Sequence, residues 1–167
     1  MSLDILKFPD PRLKKISAAV TRFDESLHGF LEEMAETMYA ANGVGLAAPQ
    51  VNQAIRVFII DISSQDEKHK KLYEFINPTL RDGEGKIVYE EGCLSVPGIA
   101  EQVQRKSKMT VDYFDRHGKP HILKAEDLLA VAVQHENDHL DGILFIDRLS
   151  PLKRRLVKRK ISKVITL

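Results

Sequence analysis

The residues most able to do chemistry together are His135-Glu136-Asn137-Asp138-His139. On a helix, positions four apart share a face, so both imidazoles can reach one ion. Glu136 directly follows the first histidine, which puts a carboxylate beside a metal-bound water without making it a ligand. The preceding residues, Leu128, Leu129, Val131, Ala132 and Val133, are apolar nearly all round, the pattern of a buried helix. Two histidines and a glutamate there are costly unless a metal or hydrogen bonds satisfy them. The same spacing also arises by chance on exposed, Glu-rich helices; the apolar flanks favour the metal.

An open catalytic site needs a third protein ligand and one free position. The familiar downstream arrangements fail: no Glu follows His139, and the sixth residue after it is Phe145. Asp141 and Asp147 remain formally open. The upstream histidines, His28, His69, His117 and His121, fall on a polar helix face or in turns. The attractive candidate is Cys93, the only cysteine, within Glu90-Glu91-Gly92-Cys93-Leu94-Ser95-Val96-Pro97-Gly98. A lone cysteine forms no intrachain disulfide, and can equally be a small buried hydrophobe. A further unusual segment is Gly43-Val44-Gly45-Leu46-Ala47-Ala48-Pro49-Gln50. Its glycines, small apolar residues and one amide suit a loop passing close to a ligand, although a helix cap followed by a turn accounts for it as well. Phosphate-binding loops have other spacings and a lysine, so no nucleotide cofactor is expected.

The elements that must hold these groups can be read from periodicity. Leu27, Phe30, Leu31, Met34 and Met38 fall at helical spacing, with Glu32, Glu33 and Glu36 opposite. Asp24 is the expected N-cap and Asn42-Gly43 the stop. Residues 55–61 form an apolar, β-branched run of strand length, and residues 72–76 another, ended by Asn77-Pro78. Asp82-Gly83-Glu84-Gly85 reads as a turn. Met109, Val111 and Tyr113 alternate on one face of a strand over 108–115, and Arg116-His117-Gly118 turns it into 121–124 as a hairpin. A second helix is expected over 125–141, with Gly142 just past its end. Ser150-Pro151 opens a third over about 150–165. The first stretch, 3–21, reads as irregular. The expected fold is α+β: antiparallel strands packed around a buried central helix carrying the HExxH, with a C-terminal helix.

The chain has 167 residues, 43% hydrophobic and 29% charged, which predicts one catalytic domain over 1–167. No basic region followed by an apolar run opens it, and no segment approaches the ~20 apolar residues that span a bilayer, so a cytoplasmic protein without a membrane partner is expected. The net charge of +1 hides an asymmetry: residues 150–167 hold seven Lys or Arg and no acid. A basic tail on an acidic body points to a polyanionic partner. Its apolar residues, Leu156, Ile161, Val164 and Ile165, are equally suited to packing on the body.

Together the three segments resemble the peptide deformylases, a family marked in order by GxGLAAxQ, EGCLS and QHExDHLxG. Residues 43–50, 91–95 and 134–142 match every fixed position. The resemblance extends to residues 6–13 and 149–153, and so spans nearly the whole chain.

The resemblance implies an amide hydrolase that removes the formyl group from the N-terminal formylmethionine of new polypeptides. Cys93, His135 and His139 would hold one divalent metal, Fe2+ natively, with Zn2+, Ni2+ or Co2+ able to substitute. Glu136 would move protons. Gln50 and the Leu94 backbone N–H would donate to the oxyanion, and Gly45 would contact the substrate backbone. Val44, Leu128 and Val131 would line the methionine pocket, with Glu91 at its edge, and Asp138 and Arg105 would orient the site. Relatives can dock the C-terminal helix on the ribosome. This chain departs from some relatives at Ala100, where they carry an arginine, which puts substrate-backbone contacts there in doubt. Two other readings stay open: a metallopeptidase of broader amide specificity, and a structural metal site in an RNA-binding protein. A structural site usually has four protein ligands, whereas three are identified here.

Overall fold

The computed structural model describes residues 2–63 and 71–165. His69 and the side chains of Val164 and Ile165 lie outside the described residues.

The strand predicted over 55–61 is realised as β2 (Val57–Ile60), with every residue fully buried. Alternation explains the double burial. Phe58 and Ile60 face one core and Val57 and Ile59 another. Helix α1 (Glu25–Ala40) covers the Val57 side with Leu27, Leu31, Met34 and Met38. Helix α2 (Asp127–Leu140) covers the Phe58 side with Leu129, Ala130 and Val133. Asp24 caps α1, accepting from the Leu27 N–H at 3.2 Å. Asn42 ends it with a left-handed φ of 57°, while the Gly43 N–H returns to the Met38 carbonyl at 2.9 Å.

The remaining strands are β1 (Gly45–Ala47), β3 (Tyr73–Glu84), β4 (Ile87–Cys93), β5 (Val96–Arg105), β6 (Lys108–Phe114) and β7 (Pro120–Glu126). Five make one antiparallel sheet in the order β1-β2-β3-β6-β7, and among the described residues β4 pairs only with β5. The fold is the α+β architecture expected, with α2 as its buried centre. The β6–β7 hairpin forms as predicted, with Val111 in the α2 core and Met109 and Tyr113 against it.

Four expectations are corrected. The strand after Leu72 does not stop at Asn77-Pro78 but runs to Glu84. The pairing with β6 shifts register between Ile76 and Thr79, and that irregularity accommodates a proline. Asn77, at φ 51°, has its side chain bonded to the Val20 N–H and carbonyl at 2.7 and 2.9 Å. The turn around Gly83 accordingly shrinks to Gly85-Lys86. Residues 45–51 are no simple loop but β1 followed by a 3-10 turn (Ala48–Val51). Helix α2 starts at Asp127, because Ala125 and Glu126 are still paired in β7.

Helix α3 (Pro151–Ile165) is preceded by Ser150, whose hydroxyl accepts from the Lys153 N–H at 3.3 Å. It packs through Val157 and Ile161 against Val96 and Val103 of the β4–β5 hairpin and a 3-10 turn (Phe145–Arg148). Of the apolar residues that the sequence offered for packing on the body, Ile161 is buried but Leu156 is 46% exposed: it lies four residues from exposed Leu152, one helical step off the Val157–Ile161 face. Among the described residues no helix is long and apolar enough to cross a membrane.

Candidate metal centre

His135 and His139 project from the same face of α2, with ring centroids 5.1 Å apart. Cys93 ends β4 and meets them from the other side, its Sγ 3.4 Å from His139 Nε2. One ligand atom from each of the three lies within 4.8 Å of the other two. Of the third-ligand options left open by the sequence, Cys93 alone among the described residues joins the two histidines.

The donor set fits a metal. His135 Nδ1 lies 2.9 Å from Glu91 Oε1, leaving Nε2 free to face an ion. Both rings are buried, and a soft thiolate with two imidazoles suits several divalent first-row metals. Burial opposes a charge on His135, but the neighbouring Cys93 sulfur and the Glu136 and Glu91 carboxylates outweigh it and hold its pKa well above the usual value. Burial, then the charges of His135 and Arg105, push His139 well below it.

Glu136 is buried, with Oε2 3.9 Å from His135 Nε2 and Oε1 without a hydrogen-bond partner among the described residues. Burial is the main reason its pKa rises to about 7. Gly45 explains its place in the sequence here: a Cβ on it would fall on the Glu136 carboxylate. Gln50 sits in the 3-10 turn after β1. Its carbonyl accepts from the Ala47 N–H at 2.9 Å, and this turns its Nε2 towards Ser95 Oγ at 3.0 Å and Cys93 Sγ at 3.5 Å. Leu94 follows Cys93 in the turn to β5, and its side chain rests where a Cβ on Gly43 would lie.

A cleft of about 610 Å³ opens over these groups. Val44, Leu128 and Val131 all line it, beside Gly45, Gln50, Cys93, His135 and Glu136. Glu91 is on its wall, but the carboxylate turns away to His135 and to Arg105, whose Nε and an NH2 group donate at 2.8 and 2.9 Å. Arg105 also donates to Asp138 Oδ2 at 2.7 Å. Every residue expected at the site is therefore brought to it. Two partners were not foreseen: Ser95, which holds the Gln50 amide, and Arg148, which binds Asp138 through two hydrogen bonds. Ser95 stood inside the EGCLS segment; no sequence pattern marks Arg148.

The model of the polypeptide deformylase family matches residues 2–155. The chain belongs to that family. It is 52% identical over 164 residues to the peptide deformylase of Xylella fastidiosa strain 9a5c, covering 96% of this chain and 95% of that one. With the peptide deformylase of Wolinella succinogenes it shares 49% over 163 residues, covering 96% of each. The crystal structure of a peptide deformylase from Legionella pneumophila superposes with a TM-score of 0.92 at 46% identity, covering 99% of this chain and 96% of that one. That of the Ehrlichia chaffeensis enzyme in complex with actinonin gives 0.90 at 38% identity, covering 98% of each. This deformylase-family chain is thus an enzyme of the hydrolase class, with a Cys/His/His group suited to a metal.

Proposed function

We propose that the protein hydrolyses the N-formyl group of N-terminal formylmethionine on newly made polypeptides, releasing formate. The observation that carries this is the convergence of three ligand atoms within 4.8 Å, a buried Glu136 beside them and an apolar pocket in the same cleft. Cys93, His135 and His139 hold one divalent ion, Fe2+ natively, with Zn2+, Ni2+ or Co2+ as substitutes. That ion supplies Lewis acidity, which lowers the pKa of a water to about 7 and polarises a carbonyl.

The chain's own residues do the rest. Glu136 takes the proton of the attacking water and delivers it to the departing amine nitrogen as the C–N bond breaks, so one carboxylate serves as base and then as acid and is regenerated. A neighbouring cation pulls its pKa below the value burial alone would set. The Gln50 amide and the Leu94 N–H donate to the developing oxyanion; losing one such donor costs about 10²–10³-fold in rate. Backbone at Gly45 aligns the substrate, and Val44, Leu128 and Val131 take the methionine side chain. Formyl-Met-Ala-Ser and purified protein test this directly. The wild type releases formate; Glu136→Ala loses about 10²–10⁴-fold while keeping its metal. No release by wild type carrying one metal per chain would move a broader metallopeptidase to the front.

Nascent chains place the reaction in the cytoplasm, and the basic face of α3 is proposed to dock on ribosomal RNA. Unchanged ribosome affinity and salt dependence after Lys158→Glu with Arg159→Glu would end that role.

A further inference from the structure

We infer that Arg148 is a positioning residue for the metal centre, acting through Asp138, Arg105 and Glu91 on His135. The inference rests on the proposed metal site and extends it to a residue outside the cleft.

The chain of contacts is continuous. Arg148 donates to Asp138 twice, from Nε to Oδ2 at 3.1 Å and from an NH2 group to Oδ1 at 2.8 Å. Asp138 Oδ2 also accepts from Arg105 NH1 at 2.7 Å. Arg105 spends its other two described donors on Glu91, and Glu91 Oε1 meets His135 Nδ1. Asp138 itself lies on α2 between the two histidines.

Donor counting shows why the outermost member matters. Asp138 is a buried carboxylate, its side chain only 10% exposed, so both oxygens need donors. Arg105 has one group left for it, and that group reaches Oδ2 alone. Among the described residues Arg148 is the sole side chain that donates to Oδ1. Remove it, and Oδ1 loses its side-chain donor, which the Arg105 fork, already bonded to Oδ2, can replace by swinging towards Asp138. That swing strips Glu91 of its paired donors and frees the carboxylate that sets the His135 ring. Arg148 thus keeps Arg105 on Glu91. A lysine cannot do the same job, because it offers a point charge instead of a planar fork.

Arg148 is 46% exposed and outside the tight core, so its variants should fold. The test is Co2+ affinity of the metal-free protein, by chelator competition well below the unfolding midpoint, where global stability does not enter. Losing an orienting partner of a metal-bound histidine typically costs 10–100-fold in affinity, and Arg148→Met is expected near the lower end, about tenfold. Arg148→Lys should fall between Met and wild type, and Arg155→Met, a surface control on α3, should bind as wild type. In an Asp138→Asn background Arg148→Met should cost almost nothing more. Wild-type affinity in Arg148→Met, full restoration by lysine, or an undiminished loss in the Asn background each overturns the inference. If the Met variant does not fold, unchanged affinity in Arg148→Lys overturns it. Absence of Co2+ binding by the wild type would instead sink the metal-site reading itself.

Discussion

The metal centre lies on a seam between two unlike regions. On one side is the five-stranded sheet with α1 and α2, whose strand β2 is apolar and buried on both faces. On the other is the β4–β5 hairpin, a separate two-stranded sheet resting on Phe145, Val157 and Ile161. The sheet side contributes both histidines and Glu136 from one helix. The hairpin contributes the thiol, Glu91 and Arg105. Besides the contacts of Glu91 with His135 and of Arg105 with Asp138, the Gln50 amide reaches Ser95, while the Leu6 and Phe8 N–H groups bond to the carbonyls of Gln50 and Ser95 at 2.7 and 2.8 Å. A site divided this way draws two of its candidate ligands from a packed helix and the third from a hairpin with a core of its own.

The sharpest way to break the comparison is to cut one large side chain from each core. Phe75 lies in the sheet core, and Phe145 in the hairpin core, stacked on His135 with centroids 6.0 Å apart. Phe75→Ala and Phe145→Ala should each cost about 3–5 kcal/mol of stability in chemical denaturation. Only Phe145→Ala should also weaken metal binding; equal effects on affinity would mean that the two regions are mechanically one.

Next in size is the burial of Glu136 on the sheet side. Its folded pKa of about 7 exceeds the ordinary 4.5, so the folded metal-free protein keeps a proton that the unfolded chain has released. Stability from this group is therefore lost as pH rises from 4.5 to about 7, on the order of 3 kcal/mol. Metal-free Glu136→Gln should be more stable than wild type at pH 8 and should not gain that advantage at pH 4. Parallel curves for the two proteins would refute the burial argument.

The smallest effect belongs far from the seam. Gly29 is exposed within α1, and a Cβ there would meet nothing within 4 Å. Gly29→Ala should stabilise the protein by about 0.5–1 kcal/mol in thermal melts, leaving turnover and metal affinity unchanged.

Legibility in the sequence divides along the same seam. The sheet side was readable because its signals are local. Histidines four apart share a helix face, Asp24 and Asn42 bracket α1, and Val111 alternates with polar neighbours. The hairpin was missed as an element although its Cys93 was singled out. Its inward positions include Glu91 and Arg105, so the charges that orient His135 interrupt the apolar alternation by which a strand is recognised. The link from Arg148 to Asp138 left no trace at all, since a bond between a turn and a helix has no sequence period.

The 46-residue separation between Cys93 and His139 also has a consequence in time. At about 5–20 residues per second of synthesis, the thiol precedes its histidines by about 2–9 s. Arg148 follows later still. For that interval the thiol has been made and the two histidines that face it have not.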